Sequence, residues 1–313
     1  MADLNATDLR VSVLLFFIDG LGIGSRGPHN PLDGLDGAAP LAVFQDETGP
    51  VIFDGILVPT DACLGVPGRP QSASGQTTIL TGVNAPAQLG YHKQGFPNAA
   101  LREIIREHSL FRQLIANDIN PITFANAYTQ PFFDERPRWI SATTAAVEAA
   151  ELPFRTVADL KNGRAVFMDF TNELLIARGE DVAVQTPEEA AGVLSNVVRT
   201  NRFTLYEYFI TDKMGHNQDR EGARSVILKL AAMIRSLLGK LDLDQTTVIL
   251  TSDHGNIEDL STRNHTLNAV PTIVWGADRQ RVASRIQCLA DITPAILEVL
   301  IKEQHAERVR SQG

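Results

Sequence analysis

Two cysteines in 313 residues, Cys63 and Cys288, stand far apart and in no metal-type spacing. That excludes a disulfide framework and a thiolate zinc module, and it favours a reducing compartment. Long hydrophobic runs are missing as well: the longest near the start covers residues 13–18, too short for a bilayer, and no charged-then-apolar export layout precedes it. The expectation is a cytoplasmic protein with no membrane contact. Basic charge is scarce, with 28 Lys and Arg against 37 Asp and Glu and a formal net charge of -9. No basic stripe interleaved with aromatics is present, which argues against nucleic acid as a partner. There is no H-E-x-x-H, which argues against a zincin-type peptidase. The glycines of Asp19-Gly20-Leu21-Gly22-Ile23-Gly24 miss the G-x-G-x-x-G spacing and lack a βαβ context, so a dinucleotide site is discounted. Internal repeats and low-complexity tracts are absent.

What is there is an alternation of apolar strands and amphipathic helices. The run 11–18 is continuous, β-branched and aromatic, as a strand buried on both faces must be, and Asp19 ends it. Residues 20–37 are dense in Gly, Pro, Asn and Asp and predict a long loop. A short helix over 76–81 follows Ser72, and helical spacing runs through 101–115 before a strand at 121–126. Prolines 131, 137 and 153 then break the pattern, with a short strand at 165–170. Alternation resumes with a helix around 191–198, a strand at 204–211 ended by Asp212, the clearest amphipathic helix at 223–238, and a strand at 247–252 ended by Asp253. A further strand at 272–275 precedes a helix capped by Thr293-Pro294 and running to about Lys302. The expected class is α/β: a core formed by residues 1–129 and 187–313, carrying a small inserted cap over 130–186.

Three strands ending in an acid is the informative feature. One such aspartate is ordinarily a turn residue. Here Asp212 is followed four positions later by His216, Asp253 directly by His254, and His265 comes soon after. Carboxylate and neutral imidazole together are donors for zinc, manganese or similar divalent ions. The carboxyl edge of a parallel sheet is where loops converge on a ligand.

Thr251-Ser252-Asp253-His254-Gly255-Asn256-Ile257-Glu258, with His265-Thr266 and Asn268-Ala269-Val270-Pro271 after it, closely resembles the metal-binding stretch of cofactor-independent phosphoglycerate mutases and phosphopentomutases, of the alkaline phosphatase superfamily. Asp212-Lys213-Met214-Gly215-His216 resembles that family's D-x-x-G-H element, Phe17-Ile18-Asp19-Gly20 its N-terminal metal aspartate, and Gln71-Ser72-Ala73-Ser74-Gly75 its nucleophile segment. The resemblance covers the first and last thirds of the chain. It implies a three-layer α/β/α core with two divalent ions, manganese or zinc, or else magnesium. One would be held by Asp212, His216 and His265, the other by Asp19, Asp253 and His254 with Ser72 bridging to it as nucleophile.

The implied activity is phosphoryl transfer on a small phosphorylated metabolite through a phosphoserine, as a phosphatase or a phosphomutase. Both mutase families carry a histidine after the glycine of the nucleophile segment, where this chain has Gln76, so the two stay open. Ser74, Thr77 and Thr78 are alternative hydroxyls. The sulfatase context C/S-x-P-x-R is absent; phosphodiesters, phosphonates and a catalytically silent metal-binding relative remain as alternatives. Arg136, Arg138, Arg155, Lys161 and Arg164 from the cap, and His92 and Lys93 from the core, are candidates to grip the substrate phosphate. Oligomeric state leaves no trace in the sequence.

Overall fold

The structure is a computed structural model that describes residues 11–46 and 51–312, with side chains as far as His305. Eight strands form: β1 Ser12–Ile18, β2 Ile56–Thr60, β3 Ile122–Phe124, β4 Ala127–Tyr128, β5 Arg155–Thr156, β6 Phe203–Tyr208, β7 Thr246–Ser252 and β8 Val270–Trp275. Six of them make one sheet in the order β2-β8-β7-β1-β6-β3, while β4 and β5 pair separately. β1 is parallel to both neighbours, with Val13 opposite Phe203 and Ser12 opposite Thr246, and β3 continues this parallel block beside β6. β8 and β2 close the other edge antiparallel to their neighbours.

Because successive strand residues point to opposite faces, β1 feeds two cores at once. Leu14, Phe16 and Ile18 join Tyr206, Tyr208, Val248 and Leu250 beneath helices α4 Pro187–Arg199 and α6 Arg220–Lys240. Val13, Leu15 and Phe17 join Phe203, Leu205 and Ile249 on the other face. That second face is covered by α1 Ser72–Thr81, α2 Ala99–His108, α3 Ala142–Ala149 and α7 Ile292–Gln312. The three-layer α/β/α class is thus the observed one, and being apolar on both faces is what makes the central strands read as unbroken hydrophobic runs. No helix among the described residues is long and apolar enough to cross a membrane.

Several local expectations give way. The strand expected at 204–211 stops at Tyr208, and Asp212 lies instead in the first turn of helix α5 Ile210–Asn217. The strand expected at 165–170 is reduced to an isolated bridge between Asn126 and Val166. α1 begins at Ser72 itself, not at 76. The last helix starts at Ile292, and the Thr293 hydroxyl donates to the Ile79 carbonyl at 2.7 Å rather than capping it. Within 130–186, α3 was not foreseen; it packs on α1 and α2 as part of the second core, while Leu160, Ala165, Phe167, Met168 and Leu175 gather in a small cluster of their own.

Candidate metal centre

Asp19 and Asp253 are the residues directly after β1 and β7, and their parity places them on the face of the sheet that carries α1. α1 ends its approach there, with Ser72 as its first residue. The Ser72 hydroxyl lies 3.0 Å from His254 Nε2, which in turn is 3.3 Å from Asp19 Oδ1 and 3.5 Å from Asp253 Oδ2. The Gln76 amide, one turn into α1, donates to Asp19 Oδ2 at 3.2 Å and to Asp253 Oδ2 at 3.1 Å. Gly20 is required at its place: its φ is +76°, and a Cβ there would meet Asp212 atoms at 2.8 Å.

Asp212 and His216 share one face of α5, four residues apart, with 3.2 Å between Oδ2 and Nε2. His265 Nε2 completes this group, 3.5 Å from Asp212 Oδ1 and 3.3 Å from His216 Nε2. The structure therefore gathers Asp212, His216 and His265 into one group of donors and Asp19, Asp253 and His254 into another, in each case with ligand atoms within 4.8 Å of one another. The groups adjoin, since the imidazoles of His254 and His265 stack with ring centres 3.6 Å apart.

The arrangement fits cations. His216 Nδ1 is 2.6 Å from the Arg263 carbonyl and His265 Nδ1 is 2.8 Å from the Pro70 carbonyl. A carbonyl only accepts, so each Nδ1 carries a proton, and in the neutral rings that ligate metals each Nε2 presents a lone pair. Two such lone pairs facing each other beside a carboxylate repel unless a positive ion lies among them. In the second group, Asp19 Oδ1 is buried with no hydrogen-bond partner, an orphan acceptor of the kind an ion satisfies. Burial first, then the neighbouring charges of Asp253 and Asp212, pushes the Asp19 carboxyl well above the usual range. Burial and then Asp212 do the same to Asp253. Burial holds the imidazoles of His254 and His265 below the ordinary histidine value, so both stay neutral and able to ligate.

Two residues inside the recognised string have roles that were not assigned from sequence. Asn256 donates its amide to Asp212 Oδ1 at 2.6 Å and to the Asp212 carbonyl at 3.1 Å. That approach needs Gly215, where a Cβ would lie 2.5 Å from the Asn256 side chain. Glu258, 2% exposed, accepts from Gly22 N at 3.0 Å, Asn256 N at 2.7 Å, Thr266 Oγ1 at 2.5 Å and Asn268 Nδ2 at 3.0 Å. One carboxylate thus ties the segments that follow Asp19, His254 and His265. The available signal was a lone acid set among Gly and Asn between two ligand segments.

The expected phosphate-gripping residues fare differently. A cleft of about 520 Å³ opens beside Asp19, Ser72 and Gln76, and none of His92, Lys93, Arg136, Arg138, Arg155, Lys161 or Arg164 lines it. Arg136 pairs with Glu148 at 2.7 Å, Arg164 with Asp159 at 2.9 Å and Lys161 with Asp181 at 4.0 Å. Arg155 donates to the Thr123 hydroxyl and the Arg164 carbonyl, Lys93 Nζ donates to the Gln94 carbonyl, and the His92 ring faces the Val66 carbonyl. Arg136 and Arg138 line a separate groove with Arg102 and Arg106. The cation in the cleft is Arg178, which was not singled out. Glu207, on β6 opposite Phe17, also lines it, its carboxyl raised to about 7 by burial against the opposing bond from Thr143.

The fold is an α/β/α sandwich whose sheet edge brings together two groups of side chains that could hold metal ions. Residues 154–304 match the metalloenzyme superfamily, which bears out the resemblance read from the motifs. Among curated relatives, a phosphopentomutase from Alkaliphilus metalliredigens is 19% identical over 244 residues, 74% of this chain and 60% of its own length. A 2,3-bisphosphoglycerate-independent phosphoglycerate mutase from Archaeoglobus fulgidus is 32% identical over 114 residues, 33% of this chain and 27% of its own length. The chain therefore spans only part of the curated relatives it matches. A cold-active alkaline phosphatase from Shewanella sp. shares the fold with a TM-score of 0.52 at 11% identity, over 92% of this chain and 99% of that one.

Proposed function

We propose that the protein is a metal-dependent phosphatase that hydrolyses a small phosphomonoester, with Ser72 as nucleophile and two divalent ions, manganese or zinc, or else magnesium. The observation that carries this reading is the position of Ser72: its hydroxyl heads a ten-residue helix and sits 3.0 Å from His254, where both donor groups meet. When bound, the ions supply positive charge that stabilises the serine alkoxide and the phosphoryl oxygens. Asp212, His216 and His265 would hold one, and Asp19, Asp253, His254 and Ser72 the other.

The competing hydroxyls are engaged within the helix: Ser74 with the Gln71 carbonyl, Thr77 with Ala73, Thr78 with Ser74. Ser72 alone of the four faces the cleft. Its oxygen forms a bond to phosphorus and gives up its proton as the ester P–O bond breaks, and the leaving oxygen takes a proton from water. A water molecule then attacks the phosphoserine, Ser72 recovers its proton, and inorganic phosphate departs. The N-terminus of α1 favours the anionic group throughout. Residues 130–186, apart from the core helix α3, act as a cap, supported by the cleft walls that residues 132–144 and 167–178 contribute.

Hydrolysis is preferred to phosphomutase chemistry because a mutase must retain and rebind a polar intermediate with several cationic groups. Among the described residues, Arg178 is the one cation that lines this cleft. Phosphorus NMR of the manganese-loaded protein with a panel of phosphate esters tests the reading: inorganic phosphate is expected, and Ser72→Ala should abolish it with metal content intact. A new ester resonance without free phosphate would establish a mutase. Full activity in Ser72→Ala would remove Ser72 as nucleophile.

A further inference from the structure

The cleft beside Ser72 is walled by rings. Phe96, Tyr128, Phe132, Trp139, Phe167 and Phe209 line it. Of the eleven exposed large apolar side chains among the described residues, three, Phe96 at 47%, Trp139 at 54% and Phe209 at 41%, converge on this one opening. Singly exposed aromatics are ordinary; several around one concavity continuous with a reactive group mark a ligand site.

The polar groups of the wall are largely committed to one another. The Tyr128 hydroxyl bonds Thr144 at 2.8 Å, and Ser141 bonds the same threonine at 2.9 Å. The Asn126 side chain is spent on the Glu207 backbone, donating at 2.8 Å and accepting at 3.0 Å. Gln76 is spent on Asp19 and Asp253. A polyhydroxylated sugar would leave most of its hydroxyls facing rings, each desolvated without a partner. Arg178 lies 5.9 Å from the Phe167 ring centre and makes no ion pair among the described residues, so it remains available to a phosphoryl oxygen.

We infer that the ester accepted here carries a flat aromatic alcohol as its leaving group, its ring held among Phe96, Trp139 and Phe209 while Arg178 and the N-terminus of α1 meet the phosphate. This rests on the phosphatase reading and narrows it to aryl phosphates. The bond changes are those already given, with the aryl oxygen leaving on the electron pair of the broken P–O bond and taking a proton from water.

The test is calorimetric titration of the whole manganese-loaded protein as Ser72→Ala, so that no ester is turned over, with 1-naphthyl phosphate, octyl phosphate, ribose 5-phosphate and inorganic phosphate. 1-Naphthyl phosphate is expected to bind at least about tenfold tighter than the other three, as ring-on-ring contact at two or three side chains supplies. Adding Trp139→Ala or Phe96→Ala should erase that margin and leave the affinity for inorganic phosphate unchanged, which also shows that the fold is kept. Ribose 5-phosphate or octyl phosphate binding as tightly as the naphthyl ester, or a margin that survives both substitutions, overturns the aryl assignment and leaves the phosphatase reading standing. Failure of inorganic phosphate and all three esters to bind overturns both.

Discussion

Asp19, Asp253 and His254 are buried, with the His254 side chain 0% exposed, whereas the His216 side chain in the neighbouring group is 43% exposed and Asp212 is 18% exposed. The difference follows from what each group is built on. The first hangs from the ends of two adjacent strands of the central sheet, whose positions the hydrogen-bond ladder fixes. The second is assembled from a two-turn helix and a loop. A site on rigid elements holds its geometry more closely than one on loops, so the buried group should bind its ion more tightly and exchange it more slowly.

Paired substitutions are the strongest way to break that contrast. Asp253→Asn is expected to cost at least about a thousandfold in turnover and to remove the ion of the buried group. His216→Ala should leave that ion in place and lose the other, as counted by elemental mass spectrometry. The reverse pattern of metal loss would mean that burial does not rank the two groups.

Glu258→Gln should act on both groups together. It keeps one acceptor but turns an amide toward backbone and side-chain donors that now meet a carboxylate. A loss of about 3 kcal/mol in stability is expected by denaturant titration, with weaker metal binding at both groups. Loss confined to one group would show that the shared carboxylate does not connect them.

A smaller effect comes from acidity. The carboxyls of Asp19 and Asp253 are raised by burial, so they keep protons to higher pH than free aspartates and must release them when an ion binds. Affinity at the buried group should therefore rise with pH, by about tenfold per unit for each proton displaced, until those carboxyls are ionised. His265 in the other group is held below its usual value and stays neutral as pH falls past that value. His216→Ala, which keeps the buried group, should show that slope in metal titrations at several pH values, and a flat profile would remove the electrostatic part of the comparison.

The same contrast governs what could be read in advance. The run ending at Asp19 and the one ending at Asp253 were legible because strands buried on both faces must be apolar throughout. The boundary before Asp212 was not: residues 203–211 are aromatic, β-branched and apolar almost without break, and α5 opens at Phe209 with no side-chain cap to mark the change. The four-residue spacing of Asp212 and His216 was the right signal, and one face of a helix is the geometry behind it. β2 escaped notice because Pro59 argues against a strand, yet proline is tolerated on an edge strand, and β2 is the outermost of its sheet. The aromatic wall was hidden for another reason. Phe96, Trp139 and Phe209 come from three distant segments, and charges such as Arg136 and Arg164 look free until the fold supplies Glu148 and Asp159.

β1 lies at the centre of the sheet, yet its two neighbours begin at Phe203 and Thr246. A growing chain therefore makes β1 long before either partner and carries it without a ladder until residues 203–208 and 246–252 have been synthesised. Contacts so distant in sequence slow folding, because the loop-closure entropy is met before any pairing compensates it. In the interval, residues 13–18 form an exposed β-prone segment open to pairing with other chains. The arrangement that holds Asp19 in the finished protein leaves its nascent form with an unpaired, aggregation-prone strand.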